Sequence, residues 1–184
     1  MTSPEFHEQP AIRRAEAADA DALTALMHAS RAYRGAYASI LQGYRVTPDY
    51  VARHRVFLAE DAHGTLLGFY ALVCSPPELD LAFVADEAQG RGAGRLLLTH
   101  MLDEARAAGL PGVRVVSHPP SEGFYRALGA RRTGTLPASP PKVTWERPEL
   151  WFDLSATATP ATTAAKPDDS PSPPLTPLEP APSP

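Results

Sequence analysis

The chain has 184 residues, a formal net charge of −4 and a single cysteine, Cys74. Its length suits one domain plus a tail; its small charge gives no electrostatic case for nucleic acid, and a lone cysteine excludes an intrachain disulfide or a cysteine-built metal site. No apolar run approaches the ~20 residues of a membrane span and Met1 to Pro10 lacks the apolar stretch of a secretory leader, so the expectation is a soluble, cytoplasmic protein with no membrane partner.

Ala11–Arg14 reads as a short strand. Asp19 to Arg31 reads as a helix, with Asp19 as N-cap and Leu23, Leu26 and Met27 on one face. Ala32 to His54 predicts broken helix, and Pro48 opens a short helical turn within it. Arg55–Glu60 and Leu66–Val73 read as a hairpin around Asp61-Ala62-His63-Gly64, ended by Pro76-Pro77. Leu79–Val84 is the next strand. Arg95–Ala108 is the clearest helix: Leu97, Leu98, Met101, Leu102 and Ala105 line one stripe, and Gly109 then Pro111 stop it. Val113–Ser117 is a β-branched strand. Ser121 caps a short helix through Leu128, with Gly129 as its left-handed stop. Arg131–Thr135 and Leu150–Leu154 close as strands. The sum is an α/β domain over residues 1–154, a mixed sheet covered on its faces.

After Leu154 the composition turns to Pro, Ala, Thr and Ser. Such a segment buries too little apolar surface to offset its ordering entropy, so 155–184 is expected to be a disordered tail with polyproline II character. Its PxxP spacings at Pro171–Pro174, Pro174–Pro177 and Pro177–Pro180 would suit a proline-recognition domain; a solvated extension is the plainer reading.

The chemistry concentrates around Gln89-Gly90-Arg91-Gly92-Ala93-Gly94. A strand feeds this turn and a helix leaves it. Glycines let backbone N–H groups approach an anion, and the helix N-terminus adds unpaired donors and partial positive charge. The segment therefore points to a phosphate-bearing ligand. A dinucleotide fold fits poorly: the turn is mid-chain, and the next strand ends in Ser117-His118 without the expected acidic residue. A P-loop fits poorly too, because no Gly-Lys-Ser/Thr follows.

Glu78 and Asp80 precede the turn on its strand. Alternation puts them on one face, with Leu79, Leu81 and Phe83 on the other. Two readings stand: solvated carboxylates, or a site for a cationic amine whose proton one of them takes. Tyr125 lies on the helix after the next strand, either as core or as a proton donor to a thiolate. Because the glycine turn and Tyr125 follow successive strands, one cleft can lie between them. Cys74 reads as a small buried hydrophobe, and the histidines show no metal-ligand spacing.

These features together resemble the GNAT superfamily of acetyl-CoA-dependent N-acetyltransferases. Gln89, Gly92 and Gly94 match the family's Q/R-x-x-G-x-G/A phosphate motif. The run from Glu78 to Ala105 resembles its fourth strand and third helix, and Ser117 to Gly134 its fifth strand, fourth helix and sixth strand. The resemblance spans about residues 11–154 and is strong from Glu78 to Gly134. It implies a mostly antiparallel sheet flanked by helices on both faces and splayed between the fourth and fifth strands.

It also implies roles. The backbone of Phe83 and Val84 would pair with the pantetheine arm of acetyl-CoA. The N–H groups of Gly90, Arg91, Gly92, Ala93, Gly94 and Arg95 would hold the pyrophosphate, and Gln89, at the head of the motif, would count with them as cofactor-binding. Tyr125 would protonate the departing thiolate. Glu78, eleven residues before Gln89, would be the base, with Asp80 the neighbouring candidate and His118 a fallback. Many members carry an Asn before the fourth helix; here Pro119-Pro120-Ser121 stands there, leaving Ser121 to supply a hydroxyl. Tyr33, Tyr37 and Tyr44 fall where the family shapes its acceptor pocket. The expected function is transfer of an acetyl group to a small primary amine. Acetylation of a protein amine, or acyl-CoA binding without chemistry, are the alternatives; a homodimer stays open.

Overall fold

The computed structural model describes residues 10–155. The tail therefore lies, but for Ser155, outside the described residues, as do Met1 to Gln9. Seven strands form one sheet in the order β1-β2-β3-β4-β5-β7-β6. They are β1 (Ala11–Arg14), β2 (Arg55–Glu60), β3 (Leu66–Cys74), β4 (Pro77–Val84), β5 (Gly112–Val116), β6 (Arg131–Leu136) and β7 (Arg147–Asp153). Every neighbouring pair is antiparallel except β4 and β5. The helices are α1 (Ala20–Ala29), α2 (Pro48–Arg53), α3 (Ala93–Ala107) and α4 (Glu122–Ala127). This is the mixed, mostly antiparallel sheet between helices that the resemblance implied.

Two cores lie on the two faces. On one, Leu97, Leu98, Met101, Leu102 and Ala105 of α3 pack on Tyr70, Leu72, Val113, Val115 and Leu150. The stripe read from the sequence is thus the buried one. On the other, Leu23 and Met27 of α1 and Val51 of α2 cover Val56, Leu58, Phe69, Leu81 and Phe83. Thr24 fastens the segment after α1 to that helix, its hydroxyl donating to Ala20 O at 2.9 Å and accepting from Val46 N at 3.0 Å. α3 ends as its glycine requires: Gly109 has φ +68°, and Leu110 N donates back to Ala105 O at 3.0 Å.

Three local expectations are corrected. Asp19 precedes α1 but does not cap it; its carboxylate is taken by Arg13, at 2.8 and 2.9 Å, and by Glu16 N at 2.7 Å. Ser121 precedes α4 without capping it through its side chain. The third correction shapes the site. The β3–β4 register runs Ala71↔Leu81 and then Leu72↔Leu79, so Asp80 is an extra residue in β4. This β-bulge breaks the simple alternation. Leu79 packs in the α3 core, whereas Leu81 and Phe83 pack in the α1 core. The hydrophobic pattern alone cannot reveal a bulge whose flanking residues are all buried.

Candidate active site

The parallel ladder between β4 and β5 holds two register pairs, Glu78↔Arg114 and Leu79↔Val115. Beyond Leu79 the strands part, and β5 continues against β7. The wedge opens into a cavity of about 720 Å³. Phe83 and Val84 line it from β4, Gly90, Gly92, Gly94 and Arg95 from the glycine turn, and Tyr125 and Phe124 from α4. Of the residues expected to surround the cofactor, all but Arg91 and Ala93 thus share one space with the candidate catalytic residues.

The glycine turn is built to offer donors. Gly90 and Gly92 have φ of +71° and +91°, a backbone region that disfavours a Cβ. Gly92 is the residue before the first turn of α3, which begins at Ala93, two residues earlier than the pattern placed it. Among the described residues, no N–H from Gly90 to Arg95 donates to a backbone carbonyl. Gln89 closes the turn: its amide donates to Val84 O at 3.2 Å and to Asp86 Oδ1 at 3.1 Å. A Cβ on Gly94 would stand 3.2 Å from Phe124 Cζ, so the third glycine lets α4 approach the start of α3. Ala93 is buried and Arg91 exposed, and neither lines the cavity. Ser121 lines the cavity with no cap bond on its hydroxyl. These features fit a pyrophosphate with an extended arm running along β4.

Tyr125 is buried in the cavity wall, and among the described residues nothing hydrogen-bonds its hydroxyl. Burial, with a smaller contribution from Tyr33, pushes the phenol above its ordinary value, so it holds its proton. Both acidic candidates line the same space. Glu78 Oε2 accepts from Arg114 Nη1 at 3.0 Å, and Arg114 Nε donates to Glu149 Oε1 at 2.5 Å. The Asp80 carboxylate accepts from the Tyr50 hydroxyl; burial first, and this bond second, raise the Tyr50 phenol.

His118 stands across the cavity, 9% exposed, and neither ring nitrogen has a hydrogen-bond partner among the described residues. Burial pushes its imidazolium below the ordinary value, which keeps the ring neutral near pH 7. Tyr33 packs on it with centroids 4.9 Å apart, and Tyr37 meets it edge-on at 4.3 Å. Of the three tyrosines singled out in the sequence, Tyr33 and Tyr44 line the cavity, while Tyr37 does not and packs edge-on against His118 and Trp145. Cys74 packs at the edge of the α3 core, off the cavity.

Among the lining residues that escaped the sequence reading are Trp145 and Arg147. Trp145 sits in the loop before β7, which Ser39 ties to the segment after α1 by donating to Lys142 O at 2.6 Å. Arg147 opens β7, three residues ahead of the predicted strand start. Pro148 hid that beginning, since proline argues against an interior strand.

Among the described residues, no group of three or more His, Cys, Asp or Glu side chains gathers to hold a metal ion, and no helix is long and apolar enough to cross a membrane.

Residues 52–129 match the acetyltransferase (GNAT) domain family. No significant match was found among curated protein sequences. Among solved structures, a GCN5-related N-acetyltransferase of Rhodopseudomonas palustris superposes with a TM-score of 0.66 at 20% identity, covering 81% of this chain and 98% of that one. The yncA protein of Salmonella typhimurium, solved with its cofactor acetyl-CoA, gives 0.61 at 22%, covering 87% and 98%. A phosphinothricin acetyltransferase of Sinorhizobium meliloti, in complex with acetyl-CoA, gives 0.61 at 22%, covering 86% and 96%.

Proposed function

Because this chain carries a GNAT acetyltransferase domain, an acyltransferase unit whose co-substrate is acetyl-CoA, we propose that it moves the acetyl group to the primary amine of a small molecule. The observation that carries this reading is one continuous cavity. It joins the free N–H groups of the Gly90–Arg95 turn to Tyr125, Glu78 and Asp80.

When bound, acetyl-CoA supplies an activated acetyl group, which the amine takes directly in a ternary complex. The turn holds the pyrophosphate, and β4 at Phe83 and Val84 aligns the arm. Fixing both reactants in line accounts for much of the acceleration. A backbone N–H near Val84 donates to the carbonyl oxygen as negative charge develops there. Asp80 or Glu78, directly or through water, takes the ammonium proton; His118, neutral and unpartnered, is the third candidate. Tyr125 gives its proton to the departing sulfur. Ser121 offers its hydroxyl to the cofactor.

A small acceptor suits the pocket because Tyr33, Tyr44 and Trp145 wall it. Small-molecule acetyltransferases such as the phosphinothricin enzyme also share the fold. On this reading the catalytic unit ends at Leu154, and the reaction takes place in the cytoplasm, as a single unpaired cysteine fits. The test is thiol release from acetyl-CoA with a panel of small primary amines, and mass analysis of the products. Acetylated small amines support the reading; acetylated peptides alone would move it to the protein-modifying alternative. A shortened chain ending at Ser155 should retain the activity.

A further inference from the structure

Among the described residues, the buried side-chain nitrogens without a hydrogen-bond partner belong to three residues: His118, Trp145 and Arg147. All three line the cavity described above. An unmade bond on a buried polar group costs free energy, so these four atoms, which lie just behind one stretch of the cavity wall, are groups that a ligand reaching them would satisfy. The chemistry of the wall is directional. Indole Nε1–H and the guanidinium are donors only, and the guanidinium always carries its charge. Arg147 forms no ion pair among the described residues, whereas Arg114, on the neighbouring strand, is held by both Glu78 and Glu149. The opposite chemistry lies in the same cavity, in Glu78 and Asp80.

We propose that Arg147 and Trp145 form a carboxylate subsite, so that the acceptor is an amino acid or a similar amine bearing a carboxylate on an apolar or aromatic body. This rests on the acetyl-transfer reading for the role of the amine, though not for the anion site itself. A planar guanidinium matches a carboxylate in a forked pair, and the indole adds a neutral donor. A monoanion fits better than a phosphate dianion, because the two acidic side chains share the space. The ammonium end then lies toward Asp80 and Glu78, and Tyr33, Tyr44 and His118 flank the body between.

The test has two arms. In the first, CoA-loaded protein is titrated with benzoate and with phenylphosphonate by calorimetry or ligand-observed NMR. Benzoate should bind, and more tightly than the phosphonate. Arg147→Gln should weaken it about ten- to a hundredfold, Arg147→Lys less, and Trp145→Phe a few-fold, with acetyl-CoA affinity unchanged. Benzoate that fails to bind, or binds Arg147→Gln equally well, overturns the subsite. Preference for the phosphonate overturns its assignment to carboxylate. In the second arm, phenylalanine and phenethylamine are compared as acceptors. The amino acid should have the higher kcat/KM, and Arg147→Gln should remove that advantage mainly through KM. Equal or better use of phenethylamine by the wild type overturns the proposal while leaving acetyl transfer intact. Arg147-dependent benzoate binding without any acetylated product upholds the subsite and removes the transfer reading instead.

Discussion

Glu78 and Arg114 are partners twice over. They face each other in the short parallel ladder of β4 and β5, and Arg114 Nη1 donates to Glu78 Oε2 at 3.0 Å. The pair stands at the root of the wedge, one register step before the strands part. It fixes a candidate base and the geometry of the opening together.

Arg114 also holds Glu149, and the three side chains are 33%, 26% and 28% exposed. Removing the cation leaves two half-buried carboxylates without their partner. Arg114→Gln should therefore cost about 1–2 kcal/mol, between the values for exposed and buried pairs. Urea denaturation of the single and double variants with Glu78→Gln reads the coupling. Additive effects would show that the two residues act independently.

Tyr125→Phe should lower kcat by about a hundredfold while leaving the acetyl-CoA Kd within about twofold, as loss of a general acid predicts. Burial raises Tyr125 above the 10.0 of an ordinary tyrosine, so it keeps its proton through that pH. The wild-type kcat should accordingly show no alkaline fall below pH 10 that Tyr125→Phe abolishes. An unchanged kcat across pH would remove Tyr125 from the chemistry.

Asp80→Asn and Glu78→Gln should separate the base. The amine is mostly protonated at lower pH, where help in removing its proton matters most. The variant lacking the base should lose activity chiefly there. Small, equal losses from both, with a large one from His118→Gln, would assign the proton to the histidine.

His118 also makes a prediction about stability. Burial holds its folded-state pKa below the ordinary 6.5, so near that pH the unfolded chain binds a proton that the folded chain does not. Its contribution is complete above about pH 6.5 and is lost as pH falls toward the lower folded value, at no more than ~1.4 kcal/mol per pH unit. Urea midpoints at pH 7.5 and 5.5 should fall further in the wild type than in His118→Gln. Equal falls would mean that the folded protein tolerates the charged ring.

Much of this was legible in the sequence wherever local chemistry dictates local structure. The glycine turn, the apolar stripe of α3 and the β2–β3 hairpin each follow from spacing, and the N–H groups of the turn have no backbone acceptor among the described residues. The rest depended on tertiary packing. The Asp80 bulge moves Leu79 to the opposite core from Leu81 without altering the hydrophobic pattern. Trp145 and Arg147 reach the cavity because β7 lies between β5 and β6, an order that no local signal encodes. His118 was visible as a strand-end residue, but its unpartnered ring nitrogens became evident only with Tyr33 and Tyr37 packed around it.

On this reading the Gln89–Gly94 turn and the β4–β5 wedge hold acetyl-CoA. The deciding experiment is calorimetric titration of the purified protein with acetyl-CoA, and with dephospho-CoA for comparison. The prediction is saturable binding in the micromolar-to-millimolar range, weakened at least tenfold in Gly92→Val, where φ of +91° disfavours a side chain, and in Gly94→Leu, whose side chain would meet Phe124. No heat of binding from a folded wild-type protein would contradict it, leaving the turn a purely structural helix start.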